Sequence, residues 1–400
     1  MFLSHWPVEP WRASQPVDFL LAVKRGKKAS MRFFMIKNSL FTLLAAIAVA
    51  SLSACGGGET PIPSTPAGFS VTCADSATKT SWVSQADAQT QCPALAVNSD
   101  IVNAVPSSSY AAGSEEIAAY SLLNTERNRC GFGMLAQSLS LDAAAKAHAD
   151  YQIINSLNSH LEDPQAYPMG FTGVTAEDRV LAKGYTGAGH VVDQFVVFNT
   201  SDPAQVKTGF GVRGIRSLLN APYHVGGILS GMRDAGIAVR TKDDVASGGR
   251  GIFVQIDAAY KTAEGGQLFG ATDAKTYPCE GSVGVDWKMS GEVPNPVPGR
   301  NLVTNPLGST VYIAVQEGNT LIISNASMTD VTTGSGVTLR KPVTAANDPY
   351  APCAEGCYKS HQGYIAADAP LAPNTSYAVV VNGSNNGTPF SRSFMFTTGR

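Results

Sequence analysis

The stretch LSLDAAAKAHADYQIINSLNSH, residues 139–160, decides how this chain is read. Its spacing predicts a helix. Leu141, Ala144, Ala145, His148, Tyr151 and Asn155 share one face, with Ile154 and Leu157 beside it. His148 falls among Ala and Tyr and reads as a packed, hydrogen-bonded core histidine. His160 stands where the helical pattern yields to the Pro- and Gly-rich PQAYPMGFTG (164–173). At about 100° per residue, the two histidines point roughly 120° apart and do not chelate one ion from one helix side. The chain has only six histidines. Four of them lie between positions 148 and 224, so a functional site is sought there.

Upstream, SEEIAAYSLLNTERNRCGFG (114–133) predicts a helix with Ser114 as N-cap, acidic residues in the first turn and Gly131 at its end. Downstream, AEDRVLAKG (176–184) and VRGIRSLLN (212–220) predict two more. Pro222 is expected to stop the last of these, so that His224 emerges just past a helix end, as His160 does. DAGIAVR (234–240) and GRGIFVQIDAAY (249–260) read as strands. Helices precede strands, so the fold class is α+β and not a βαβ series. After GEVPNPVPGR (291–300), a Pro-studded linker, the character changes to short β-branched runs such as TVYIAV, SYAVVVNG and RSFMFTTG. Asn386-Gly387 supplies hairpin-turn chemistry between the last two. LAPNTSY (371–377) resembles the tyrosine corner of immunoglobulin-like sandwiches, and residues 300–400 are expected to form an Ig-like antiparallel β-sandwich.

The N-terminus has a different composition. Residues 1–54 carry seven basic and two acidic side chains, a balance of +5, against a net charge of −2 for the whole chain; the rest therefore stands at −7. A mildly acidic body has no electrostatic reason to seek nucleic acid. From Met31, MRFFMIKN and the apolar run LFTLLAAIAVASL lead to LSAC, ending at Cys55. This has the length and flanks of a signal peptide. LSAC resembles the lipobox of bacterial lipoproteins, which implies a lipid on Cys55 and, with Gly56 following, the outer membrane. Residues 1–30 read as an over-extended start, 31–54 as the signal peptide, and 55–109 as a tether with a small disulfide-pinned lead-in. With Cys55 set aside, Cys73, Cys92, Cys130, Cys279, Cys353 and Cys357 permit fifteen pairings. Proximity suggests Cys73–Cys92 and Cys353–Cys357, which leaves Cys130–Cys279, disulfides being the default in an oxidising compartment. GFGVRG (209–214) matches G-x-G-x-x-G but follows no strand, so no nucleotide cofactor is expected. G-x-S-x-G, H-E-x-x-H and P-loop motifs are absent.

Taken in order, LLNTERNRCGFGML, AAAKAHADY, NSH, GFTG, EDR, GY, LLNAPYHVGGIL and AGIAV resemble bacterial members of the CAP superfamily (cysteine-rich secretory proteins, antigen 5 and pathogenesis-related proteins; the SCP-like domain). The resemblance spans roughly residues 114–280. It implies a CAP-type α-β-α sandwich over 110–284, then the linker at 285–299. It also implies a cleft with two histidines and two acidic residues. His160 and His224 match the two histidines. In GYTGAGHVVDQ, however, His190 stands where the family has Glu, and the second acidic position near SLLNAPYH holds no carboxylate. Glu162, Asp178 and Asp193 are candidates to supply one. Three imidazoles, His160, His190 and His224, could hold Zn²⁺ with a water in the fourth position. The leading expectation is a surface lipoprotein binding a small apolar, lipid-like or peptide ligand, or a cell-surface partner, without catalysis. The alternatives are a zinc-dependent hydrolase of peptides or cell-wall material and a structural or adhesive scaffold.

Overall fold

Local chemistry starts and stops the helices. In the computed structural model, residues 69–72, 78–82, 101–200, 208–244, 249–351 and 357–400 are described. Ser114 caps α1 (Glu115–Arg129) by accepting from the Ile117 amide. Ser138 caps α2 (Leu139–Asn155) in the same way. α2 does not run on to His160. It ends at Ser156, whose left-handed backbone (φ 56°) turns the chain into a loop. Thr175 and Asp178 form a capping box at the start of α3 (Ala176–Ala182). After α4 (Phe210–Asn220), Pro222 opens a helix instead of only closing one. Ala221 ends α4 and precedes α5 (Pro222–Ile228), with the proline in the first turn. A proline there loses no hydrogen bond and has its φ already set, so His224 lies on a helix and not in a loop.

After a hairpin of β1 (Phe69–Thr72) and β2 (Thr78–Trp82), a four-stranded sheet in the order β3-β5-β6-β4 lies between these helices. Its strands are β3 (Ala136–Gln137), β4 (Ala188–Thr200), β5 (Asp234–Asp244) and β6 (Gly249–Lys261). β4, thirteen residues long, has no counterpart in the sequence-based expectations. Leu141 and Ala144 of α2 and Val180 of α3 pack with Ala259 and Val191 on one face. Leu123 of α1, Ile215 and Leu218 of α4 and Ile228 of α5 pack with Ile237 and Ile256 on the other. Each such aliphatic burial contributes roughly 1.5–3 kcal/mol. The glycines of GFGVRG serve this packing. A Cβ on Gly211 would lie 2.1 Å from the Glu115 carbonyl, and one on Gly214 would lie 2.7 Å from Val254. The Glu115 carboxylate accepts from the Gly209 and Gly211 amides at 2.6 and 2.7 Å, so the start of α4 already holds an intramolecular anion.

The C-terminal half has two further four-stranded sheets. One joins β13 (Val343–Thr344), β14 (Gln362–Ala366), β11 (Thr310–Val315) and β7 (Ala274–Tyr277). The other joins β12 (Leu321–Asp330), β15 (Ser376–Asn385), β16 (Thr388–Thr398) and β8 (Ser282–Val285). Val311, Ile313 and Ile365 of the first face Val379, Val381 and Phe396 of the second across a shared apolar layer. Asn386 and Gly387 both take positive φ in the β15–β16 turn. The Tyr377 hydroxyl accepts from the Ala372 amide at 2.9 Å.

Residues expected to close the first domain and to form its linker belong to these sheets or to the site. β7 pairs with β11, β8 pairs in parallel with β16, and, inside the expected linker, β9 (Lys288–Met289) pairs with β10 (Leu307–Gly308). A disulfide joins Cys130, at the end of α1, to Cys279, between β7 and β8. Tyr312, Tyr358 and Tyr364 of the C-terminal half share one apolar cluster with Phe132, Leu218 and Leu229. Gly226 of α5 sits in this contact, where a Cβ would meet the Gln362 amide nitrogen at 2.9 Å. The halves are therefore joined by packing, not by a spacer. No described helix is long and apolar enough to cross a membrane. The signal peptide, Cys55, Cys73, Cys92 and Cys353 lie outside the described residues; Cys357 is disulfide-bonded.

Candidate functional site

His160 is presented by a loop tied down on both sides. His148, fully buried on α2, places Nε2 2.9 Å from the Ser159 carbonyl and Nδ1 2.9 Å from Glu162. The Glu162 carboxylate also accepts from the Thr172 amide at 2.6 Å and the Gly173 amide at 3.3 Å. Burial alone would raise its pKa, but the His148 and Thr172 hydrogen bonds outweigh this and hold it below the usual range. Arg179 of α3, fully buried, donates to the His160 carbonyl at 3.0 Å. Of the carboxylates the sequence offers, Glu162 thus serves the loop and Asp178 the capping box. Only Asp193 reaches the His160 ring, bonding Nδ1.

Asp193 lies on edge strand β4, almost wholly buried. It accepts from Arg179 at 2.7 Å and from Gln255 at 3.2 Å. Burial pushes its carboxyl up, but the His160 hydrogen bond and the charges of His160 and Arg179 prevail and lower it. Beneath it, Gln255 also donates to Asp257 at 3.0 Å. Gln255 and Asp257 stand two apart on β6 and so share a face, a signal present in VQIDAAY. Burial, reinforced by the charge of Asp193, pushes Asp257 up to about 7. Its Oδ2, the Gln152 Oε1 and the Arg179 Nε are buried without a hydrogen-bond partner among the described residues.

His224 approaches from α5, on the other side of β4. Its ring centroid is 6.4 Å from that of His160, and Phe195 packs 4.8 Å from His160. Its Nδ1 is 3.0 Å from Glu292, which also accepts from the Tyr223 amide at 3.0 Å. Burial would lower the imidazole pKa, but the charge of Glu292 and its hydrogen bond raise it. Sequence reasoning missed Glu292, an acidic residue within the expected linker, whose side chain is only 1% exposed. No local pattern links it to His224, 68 residues earlier.

Each imidazole therefore commits Nδ1 to a carboxylate, which leaves Nε2 for a ligand. The His160 side chain is half exposed. His190 does not join them. It is three residues from Asp193, and the two-residue period of a strand puts the two on opposite faces of the sheet. The three-histidine zinc site that the sequence allowed as a possibility is thus not assembled. Among the described residues, no group of three or more His, Cys, Asp or Glu could hold a metal ion.

Comparison with known proteins adds little. No family model matches the chain, and no curated protein matches it significantly. Among solved structures, an outer surface protein from Borrelia burgdorferi is similar over 37% of this chain and 92% of its own length, at 13% identity and a TM-score of 0.28. A likeness of that size carries no inference about function.

Proposed function

We propose that this chain is an exported, non-catalytic binding protein, held on the bacterial outer membrane through a lipid on Cys55. In this reading the α+β half is a CAP-type domain and the C-terminal sheets are an Ig-like sandwich. Its site is the cleft between His160 and His224, taking a small apolar, lipid-like or peptide ligand or a cell-surface partner. The observation that carries the reading is the pair of imidazoles, 6.4 Å apart, each backed at Nδ1 by a buried carboxylate. Such backing fixes each ring and leaves Nε2 as the recognition atom.

A second reading, a zinc-dependent hydrolase, gains something from the same geometry. Carboxylate-backed imidazoles are good metal ligands, and His160 and His224 could hold a cation with water completing its shell. The two carboxylates also remove the objection that the cleft lacks acids. They are poorly placed as general bases, however, because a base must reach the water it activates. The Asp193 and Glu292 side chains are 4% and 1% exposed, behind the rings they support. Among the described residues, no Ser, Thr or Cys side chain bonds either ring.

The test is to purify the chain from Gly56 onward, measure bound metal, and identify extracted small molecules by mass spectrometry. The binding reading expects a co-purifying organic ligand that is lost in His160→Ala/His224→Ala. Stoichiometric zinc, lost in the same variant, would favour the hydrolase. Neither would leave a structural or adhesive scaffold.

A further inference from the structure

A second cleft lies on the opposite side of β4 from Asp193, where the two halves of the chain meet. Its cavity is about 590 Å³, within the usual range of small-molecule sites. Gly226, Gly227 and Gly231, around the end of α5, line it, each closely packed, since a Cβ would meet Gln362, Gln194 or the Gln267 carbonyl within 3 Å. Tyrosine rings line it from both halves: Tyr223 and Tyr260 from the first, Tyr358 from the second.

Four of its polar side chains stand apart from lining residues that are bonded internally, as Tyr358 is to the Pro222 carbonyl and Gln267 to the Met232 carbonyl. His190 and Tyr260 come from the first sheet, Glu317 and His361 from the C-terminal half. None of these four side chains hydrogen-bonds another described residue. They are nonetheless neighbours: the His190 and Tyr260 rings lie 6.2 Å apart, tilted by 43°, and the charge of Glu317 acts on both Tyr260 and His361. Polar groups that converge across a crevice without bonding one another are arranged for a third party or for water. Elsewhere along the shared contact, polar side chains are spent internally, as Asn220 is on the Thr310 amide.

We propose that this cleft is a saccharide-binding site, distinct from the His160–His224 cleft. The chemistry selects the class. The half-buried Tyr223 and Tyr260 rings offer surfaces to the apolar faces of sugar rings, whereas Tyr358 is packed among other tyrosines. A carboxylate, imidazoles and a phenol offer acceptors and donors at several angles to hydroxyls. Aliphatic lining is limited to Val192, Pro222, Met232 and Leu268, too little to enclose an acyl chain. The cleft is lined from both halves of the chain.

The test uses the chain from Gly56 to Arg400, which contains the whole compact unit Pro63–Arg400. Maltose, cellobiose, lactose and the disaccharide of N-acetylglucosamine are titrated by ligand-observed NMR. At least one is expected to bind with a Kd between about 10 μM and 1 mM. Glu317→Gln and Tyr260→Ala should each weaken it at least ~10-fold, the cost of losing a hydrogen bond to a charged group or an aromatic contact. His160→Ala/His224→Ala should leave it unchanged, so failure here and failure of the first cleft are separable. Glu317 is exposed, so its variant should fold normally even if Tyr260→Ala does not. No binding by any of the four sugars overturns the proposal. So does binding that both cleft variants retain, or binding of the dipeptide Ala-Ala in their place.

Discussion

Glu292→Gln isolates the contact that ties residue 292 to the histidine pair. The glutamine keeps an oxygen for the Tyr223 amide and removes only the charge facing His224. At 3.0 Å the gross attraction is roughly 5 kcal/mol at an effective dielectric of 20. Desolvation of the nearly buried carboxylate offsets much of this. What remains is about 1.5–3 kcal/mol, the range for a hydrogen bond to a charged group. The sign with pH follows from the imidazole. Burial lowers the folded-state pKa of His224, but Glu292 more than reverses this and raises it above 6.5. The contribution is therefore whole below that pH and is lost as pH rises through the higher folded-state value. Urea unfolding of wild type and variant at pH 5.5 and pH 9 measures it, and an NMR titration of the imidazole gives the midpoint. The variant should lose stability at pH 5.5 and much less at pH 9, and its His224 midpoint should fall. An equal loss at both pH values with an unmoved midpoint would refute the pairing.

Three further outcomes are expected. Arg179→Met leaves Asp193 buried without its cation and should cost about 3–5 kcal/mol, with faster amide exchange in the loop 156–175 that Arg179 anchors through the His160 carbonyl. Cys130→Ser with Cys279→Ser removes a crosslink spanning 149 residues and should cost about 2–5 kcal/mol by thermal unfolding. Asp257 is raised to about 7 in the folded protein, so stability should decline between roughly pH 4 and 7, where the acid ionises in the unfolded chain but stays protonated in the folded one; Asp257→Asn should flatten that slope, and an unchanged pH profile would exclude the buried acid as its cause.

Elements governed by neighbouring residues were legible in the sequence. The Ser114 cap, the strands around Gly236 and Gly251 and the Asn386-Gly387 turn all follow from chemistry within a few positions. The Cys130–Cys279 bond was reached by assigning the other cysteines to their sequence neighbours. Misreadings came where one local rule had two outcomes. Pro222 ends one helix and, with its fixed φ, begins the next. The Pro-rich segment at 291–300 looks like a spacer because proline and glycine mark loops, yet its Glu292 is buried against α5. β4 was unread, and with it the alternation that separates His190 from Asp193.

By itself, then, the sequence determined an α+β half followed by a β-rich half, and two histidines outside the core face of α2. Periodicity, caps and turn residues act over one or two turns of chain, so they can be read without coordinates. Which carboxylates back those histidines, and that His190 faces a different cleft shared with the C-terminal half, was decided by the tertiary structure alone. Those partners lie 33 and 68 residues away. They meet only because sheet register and the packing of two halves over one core bring them together, and no short-range rule encodes that distance.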